Sequence, residues 1–226
     1  MTFELPEGEG HHVRKVLRGR PGDTFEAVDS ERRLFEARLN EGPGALVLSE
    51  DPTFGDLADI RLYQAVPKGK HMDLLVEKAT ELGVTSITPL VTEHGVVKLG
   101  EERNKVDRWL RVAEAAARQS LQLRVPDIRE PVSFPDALQE VGEDGVILHN
   151  GEGLSALEER VSHVSVGLLI GPEGGWSEGE LSLAAECGVP LAQLGSYRLR
   201  SETAGMVAVA RTRATIERAM EKSERG

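Results

Sequence analysis

From Met72 to Leu82 the apolar side chains return at the spacing of one helical face: Met72, Leu75, Val76, Ala79 and Leu82. Gly83 ends the pattern, and VTSITPLV (84–91) follows as a buried strand. The same alternation continues to the end of the chain. A helix from about Glu101 to Leu121 carries Val106, Trp109, Leu110, Ala113 and Ala117 on one face, and Pro126 bars its extension. Next come a helix FPDALQEV, a strand GVILH, a helix LSALEERV, a strand VSVGLLIG, a helix EGELSLAAEC and a strand PLAQLG. An alanine-rich helix from about Ser201 to Met220 comes last. Strands alternating with helices predict an α/β domain with a mainly parallel sheet and helices on both faces.

Before Pro67 the rhythm is different. DTFEAVD, RLFEARL, GALVLSE and DIRLYQAV alternate apolar with polar residues and are separated by PGD, NEGPG and DPTFGD. Short strands between Gly/Pro turns predict a small β-barrel or sandwich. The chain is therefore expected to divide at residue 68: a β domain over 1–68 and the α/β domain over 69–226.

Composition narrows the function classes. The chain has 226 residues, 39% apolar and 29% charged, which suits a soluble protein with one large core or two modest ones. It has no apolar run of membrane-spanning length, and MTFELPEGEG has acids where a signal peptide has basic and then apolar residues. A cytoplasmic protein is expected. Cys187, the only cysteine, excludes an internal disulfide and a multi-cysteine metal site, and is expected to be a buried structural thiol; no metal is predicted. A net charge of -11 opposes indiscriminate nucleic-acid binding unless cations gather locally. HHVRKVLRGR (11–20) gathers Arg14, Lys15, Arg18 and Arg20 with no acid. The pattern fits either a solvated charge run or a patch for RNA, with His11 and His12 expected to pack.

Two loops hold the candidate chemistry. In IGPEGGWSEGE (170–180) a strand runs into Gly171, Pro172, Glu173, Gly174 and Gly175, and Ser177 with Glu180 forms a capping box that starts the next helix. Glycines in such a place allow positive φ or close approach of a ligand to the backbone. The loop lacks the lysine of a phosphate-binding loop, and Pro172 and Glu173 break a dinucleotide fingerprint, so a cationic ligand or a neutral base suits it better than a polyphosphate. In LGSYRLRSETA (194–204), Arg198 and Arg200 lie beside a helix start, with Ser201 predicted as N-cap. On these residues alone, a tight packing turn and a capped surface loop remain open readings.

PKGKHMDLLVEKATELGVTSITPLVTEH, ARQS…RVPDI, LLIGPEGGWSEGE and LGSYRLRSETA, in this order, resemble the RsmE-type methyltransferases of the SPOUT superfamily, and HHVRKVLRGRPGD is similar to that family's N-terminal signature. The resemblance spans nearly the whole chain. It implies a PUA-like small β-barrel that helps hold RNA, followed by a SPOUT α/β domain whose C-terminal part forms a deep trefoil knot. It also implies a homodimer, S-adenosylmethionine as cofactor, and methylation of N3 of one uridine in 16S ribosomal RNA or the small ribosomal subunit. By the same resemblance the cofactor would be enclosed by Leu148, His149 and Asn150, by Ile170, Gly171, Pro172, Glu173, Gly174 and Gly175, and by Leu194, Gly195, Leu199, Arg200, Thr203 and Ala204. Gln122 stands where the family usually has arginine.

Uridine N3 is a poor nucleophile until its proton leaves, so a nearby arginine that stabilises the anion would accelerate transfer. Arg200 is the first candidate, with Arg198 the alternative. Glu202 or Glu173 could serve as general base. Arg14, Lys15, Arg18, Arg20 and Arg198 are expected to contact RNA. Alternative readings are a methyltransferase of the same superfamily acting on another RNA position, a catalytically silent RNA-binding assembly factor, or a small-molecule α/β enzyme with an appended barrel.

Overall fold

The computed structural model describes residues 2–5, 7–16, 18–28, 33–51, 58–95, 103–122, 124–161 and 165–224. The chain divides into two compact units, residues 1–57 with 121–123, and residues 58–120 with 124–226.

The first unit starts with β1 (Thr2–Glu4), α1 (Glu7–His11) and a π-helical turn over His12–Val16. The strands β2 (Thr24–Val28), β3 (Leu34–Leu39) and β4 (Gly44–Asp51) complete an antiparallel sheet of order β1-β4-β3-β2. Along β3, Leu34, Ala37 and Leu39 are buried, the alternation of a one-faced strand interrupted by a register shift at Glu36/Ala37.

The second unit is a seven-stranded parallel sheet. It opens with β5 (Asp59–Ala65), α2 (His71–Glu81), β6 (Ser86–Val91) and α3 (Arg103–Gln119). Two short strands, β7 (Asp127–Ile128) and β8 (Val132–Ser133), pair end to end along β6. Then follow α4 (Phe134–Val141), β9 (Gly145–Leu148), β10 (Ser165–Ile170), α5 (Glu178–Glu186), β11 (Leu191–Ala192) and α6 (Ser201–Glu224). The order β11-β9-β10-β5-β6-β7 places β5 mid-sheet, so the expected domain boundary at 68 moves to about 57/58. Length and flanking turns alone group DIRLYQAV with the β pieces. Its burial on both faces is what a central parallel strand requires.

Both faces of the sheet are covered. Ile60, Leu62, Leu168 and Ile170 pack with Leu75, Val76, Trp109, Ala208 and Val209 of α2, α3 and α6. Tyr63, Ile147 and Leu169 point the other way, to Phe134, Leu138 and Trp176. The terminal helix lies close to its neighbours. A Cβ at Gly205 would come within 2.4 Å of Gln64 Oε1 and 2.7 Å of Leu75 Cδ1.

Three local expectations are corrected. LSALEERV is not a helix: Ala156 bridges to Gln193 beside β11, and only Leu157–Glu159 makes a 3₁₀ turn. Leu110 and Cys187 are exposed. Cys187 is the C-cap of α5, just past the helix.

Candidate active site

The carboxyl ends of β9, β10 and β11 open into one pocket of about 340 Å³. In an open parallel sheet this is where loops are free of the ladder and ligands gather, next to the point where the strand order reverses between β5 and β10. Of the residues implied as cofactor contacts, Leu148, His149, Asn150, Ile170, Gly171, Pro172, Glu173, Gly174, Gly175, Leu194, Leu199 and Ala204 line it. Gly195, Arg200 and Thr203 do not. Trp176, Tyr197, Arg198 and Ser201 line it as well.

The turn after β10 is set by its surroundings. At Gly171 a Cβ would lie 2.9 Å from Trp176 Cε2, and at Gly174 it would lie 3.0 Å from the Cβ of His94. Gly175 has φ +78°, the left-handed conformation that favours glycine. Trp176 is buried, donates from Nε1 to Leu148 O at 2.9 Å, and packs on Phe134 with ring centroids 5.0 Å apart. It thereby ties the end of β9 to the turn after β10.

The predicted capping box is present: Ser177 Oγ accepts from Glu180 N at 3.2 Å and Glu180 Oε2 accepts from Ser177 N at 2.9 Å. The other oxygen of Glu180 accepts from Glu93 N at 2.9 Å, so the buried carboxylate also holds the loop after β6. Next to it His94 Nδ1 lies 3.1 Å from Gly175 O; a carbonyl only accepts, so that nitrogen carries the proton. Glu173 Oε1 accepts from Lys68 N at 3.0 Å, which fixes the acid of the loop against the PKG turn.

The segment after β11 is anchored at its two ends. Arg211 donates to Leu194 O at 2.5 Å and makes a bidentate pair with Glu158, both bonds 2.6 Å. These hydrogen bonds hold the Glu158 carboxyl below the ordinary carboxylate value. At the far end Arg198 donates to Glu173 O at 3.2 Å. Ser201 Oγ donates to Gly171 O at 2.6 Å and accepts from Gln64 Nε2 at 2.8 Å. The hydroxyl is thus committed to the pocket floor, which corrects its expected role as an N-cap. Gln64 is fully buried, and its Oε1 has no hydrogen-bond partner among the described residues.

The reactive candidates separate. Arg200 is exposed between two pocket-lining neighbours, Leu199 and Ser201. Glu202 is buried, with its carboxylate 3.4 Å from His71 Nδ1, and does not line the pocket. Its position in the first turn of α6 turns it toward His71 at the start of α2. In the first unit, Arg14 donates to Asn40 O at 3.2 Å, to Gly44 O at 3.4 Å and to Gly42 O, and so closes the β3–β4 turn. Lys15, Arg18 and Arg20 remain exposed, as does His11, which had been expected to pack. The His12 side chain lies outside the described residues. Sequence alone could not find Trp176, Ser201 or Tyr197, because each lines the pocket only through folding; the aromatic next to GPEGG was the one available signal.

The chemistry of the lining fits a bulky, partly apolar cation. Leu148, Ile170, Pro172, Leu194, Leu199 and Ala204 offer apolar walls, Glu173 a carboxylate, and the one lining cation among the described residues, Arg198, is bonded to Glu173 O. The volume is at the small end of ordinary ligand pockets.

A family model described as an RNA methyltransferase domain matches residues 56–213. The chain is 32% identical over 226 residues to ribosomal RNA small subunit methyltransferase E of Synechocystis sp., covering 96% of this chain and 74% of that protein. It is 35% identical over 206 residues to the protein of the same name from Aquifex aeolicus, covering 88% and 89%. Among solved structures it is similar to ribosomal RNA small subunit methyltransferase E from Neisseria gonorrhoeae bound to S-adenosyl methionine, with a TM-score of 0.77, 29% identity, and coverage of 95% and 92%.

Proposed function

Because the chain belongs to the RNA methyltransferase family, and within it to the ribosomal RNA small subunit methyltransferase E group, we propose that the pocket delivers a methyl group to N3 of one uridine in 16S ribosomal RNA. The protein is an S-adenosylmethionine-dependent methyltransferase of small-subunit ribosomal RNA. The observation that carries the reading is the pocket itself, at the ends of three parallel strands with glycine backbone, apolar walls and a fixed carboxylate.

S-adenosylmethionine supplies an electrophilic methyl group when bound. The apolar walls and the backbone of 148–150, 171–175 and 194–199 would hold it, and Glu173 is of the sign that favours a sulfonium. Arg200 would stabilise charge on a uridine carbonyl as the N3 proton leaves, lowering the cost of forming the nucleophile. Positioning supplies much of the remaining acceleration, and with no dedicated base invoked the N3 proton passes to solvent water.

The finer architecture belongs to the same proposal. The antiparallel sheet of the first unit is read as part of a PUA-like barrel, with Lys15, Arg18 and Arg20 as backbone contacts to RNA and Arg14 as a structural residue. A trefoil knot is part of the same reading, which the bond of Ser201 to Gly171 and the packing of α6 on α2 and β5 accommodate. A homodimer is supported by Val207, Ala210 and Ala214, half-buried on a face of α6 apart from the core residues Ala208, Val209 and Ile216. No helix among the described residues is long and apolar enough to cross a membrane, and a ribosomal RNA substrate supports the reading of a cytoplasmic protein.

The test is transfer of labelled methyl from S-adenosylmethionine to small subunits lacking their own modifications, with the product nucleoside identified by mass spectrometry. N3-methyluridine at one site is expected. A different methylated nucleoside refutes the position, and cofactor binding without transfer refutes catalysis in favour of a silent RNA-binding module. In the same assay Arg200→Ala is expected to lose at least tenfold in rate; a rate within threefold of the parent removes Arg200 from the mechanism.

A further inference from the structure

Tyr197 is 86% exposed, against 44% for Leu74, the next most exposed of the large apolar side chains among the described residues. Exposed apolar residues are common singly, and exposure alone assigns nothing. Position sets this one apart, because it lines the pocket on the same segment as Leu194, Arg198 and Leu199. The fold makes no use of the ring for its core.

The segment presents it nonetheless in a defined place. On one side Gln193 is bonded through its backbone N to Ser155 O at 3.0 Å and through its side chain to Leu154 O at 2.8 Å, and Arg211 holds Leu194 O. On the other, Arg198 is bonded to Glu173 O and Ser201 to Gly171 O. Gly195, with φ +129°, takes a conformation that favours glycine between these anchors. The mouth of the pocket therefore carries an aromatic residue on a backbone segment anchored on both sides, with the exposed arginines Arg198 and Arg200 beside it.

Methyl transfer to a base edge requires the base to leave its stack and stand at the pocket with the reacting nitrogen inward. An unstacked base needs a planar partner for its face, and an aromatic ring flanked by arginines is how proteins hold single-stranded RNA. We propose that the Tyr197 ring is the platform on which the target base stacks at the mouth of the pocket. The inference rests on the methyltransferase reading and adds a base-binding residue to it.

Binding alone tests the stacking. With S-adenosylhomocysteine bound, the affinity for a single-stranded uridine-containing RNA of the target sequence is measured for the parent and for Tyr197→Phe, Tyr197→Leu and Tyr197→Ala. Tyr197→Phe should bind within about twofold of the parent, while the leucine and alanine variants weaken roughly tenfold to a hundredfold. Cofactor affinity, titrated separately, should not change. Equal RNA binding by parent and Tyr197→Ala overturns the proposal, and so does a loss of cofactor affinity as large as the loss of RNA affinity, which would make the ring a cover for the cofactor. Absence of methyl transfer by the parent counts against the reaction, and the binding series still decides the stacking.

Discussion

The two segments that wall the pocket, 171–180 and 194–201, are built by opposite means. The first is locked along its length: Trp176 fills the space a side chain at Gly171 would need, His94 packs on Gly174, and Glu180 bonds both its own helix and the loop after β6. The second is held at Leu194, Arg198 and Ser201 and leaves Tyr197 and Arg200 exposed to solvent. One wall gives shape and the other gives reach. A reaction between a small cofactor and a macromolecule needs both, because the cofactor must be fixed while the RNA must gain access.

The contrast is broken most severely at Trp176. Trp176→Ala removes a buried aromatic, its hydrogen bond to Leu148 O and its contact with Phe134, and should cost about 3–5 kcal/mol in urea unfolding together with cofactor binding. A loss below about 1 kcal/mol would mean that the turn does not depend on the ring. Ser201→Ala acts where the two walls meet. It strands Gly171 O and leaves Gln64 Nε2 with Ala65 O alone, for an expected cost of about 1–3 kcal/mol and a weaker cofactor affinity by titration.

The smallest effect belongs to the anchor of the open wall. Glu158 has its carboxyl lowered by hydrogen bonds from Arg211, so its stabilising contribution is fully present above the ordinary carboxylate range. That contribution is lost as pH falls through the lowered native value. The difference in unfolding midpoint between the parent and Glu158→Gln should therefore shrink as pH drops below about 4.5. Because 37% of the Glu158 side chain is exposed, the full difference should be about 1 kcal/mol or less. A constant difference across that range would place the effect in packing instead of charge.

Much of the fold was legible because its signals are local. The 3.6-residue spacing of Met72, Leu75, Val76 and Ala79 gave α2, and the Ser177–Glu180 pair gave the start of α5. Where local signals were weak, tertiary contacts decided. LSALEERV has helical composition, but Ala156 pairs with Gln193, and the peptide groups of that stretch are used at the sheet edge instead. In the site, the glycines marked the loop, yet the reason for each lies in a partner distant in sequence, as with His94 against Gly174. Glu202 shows the limit of motif reading: adjacent in sequence to pocket residues, it faces His71 because a helix turns successive side chains by about 100°.

Gly205 has a bearing on motion. Glycine in a helix interior gives up about 1 kcal/mol of helical preference relative to alanine, here in the second turn of α6. That weakness in propensity falls where the helix packs closely on Gln64 and Leu75, and its first turn, from Ser201 on, is tied down by the bonds of Ser201 to Gly171 and Gln64. Amide exchange in that turn should report how firmly the floor of the pocket is closed: a ligand that tightens the 171–175 loop will slow it, thirty residues away along the chain.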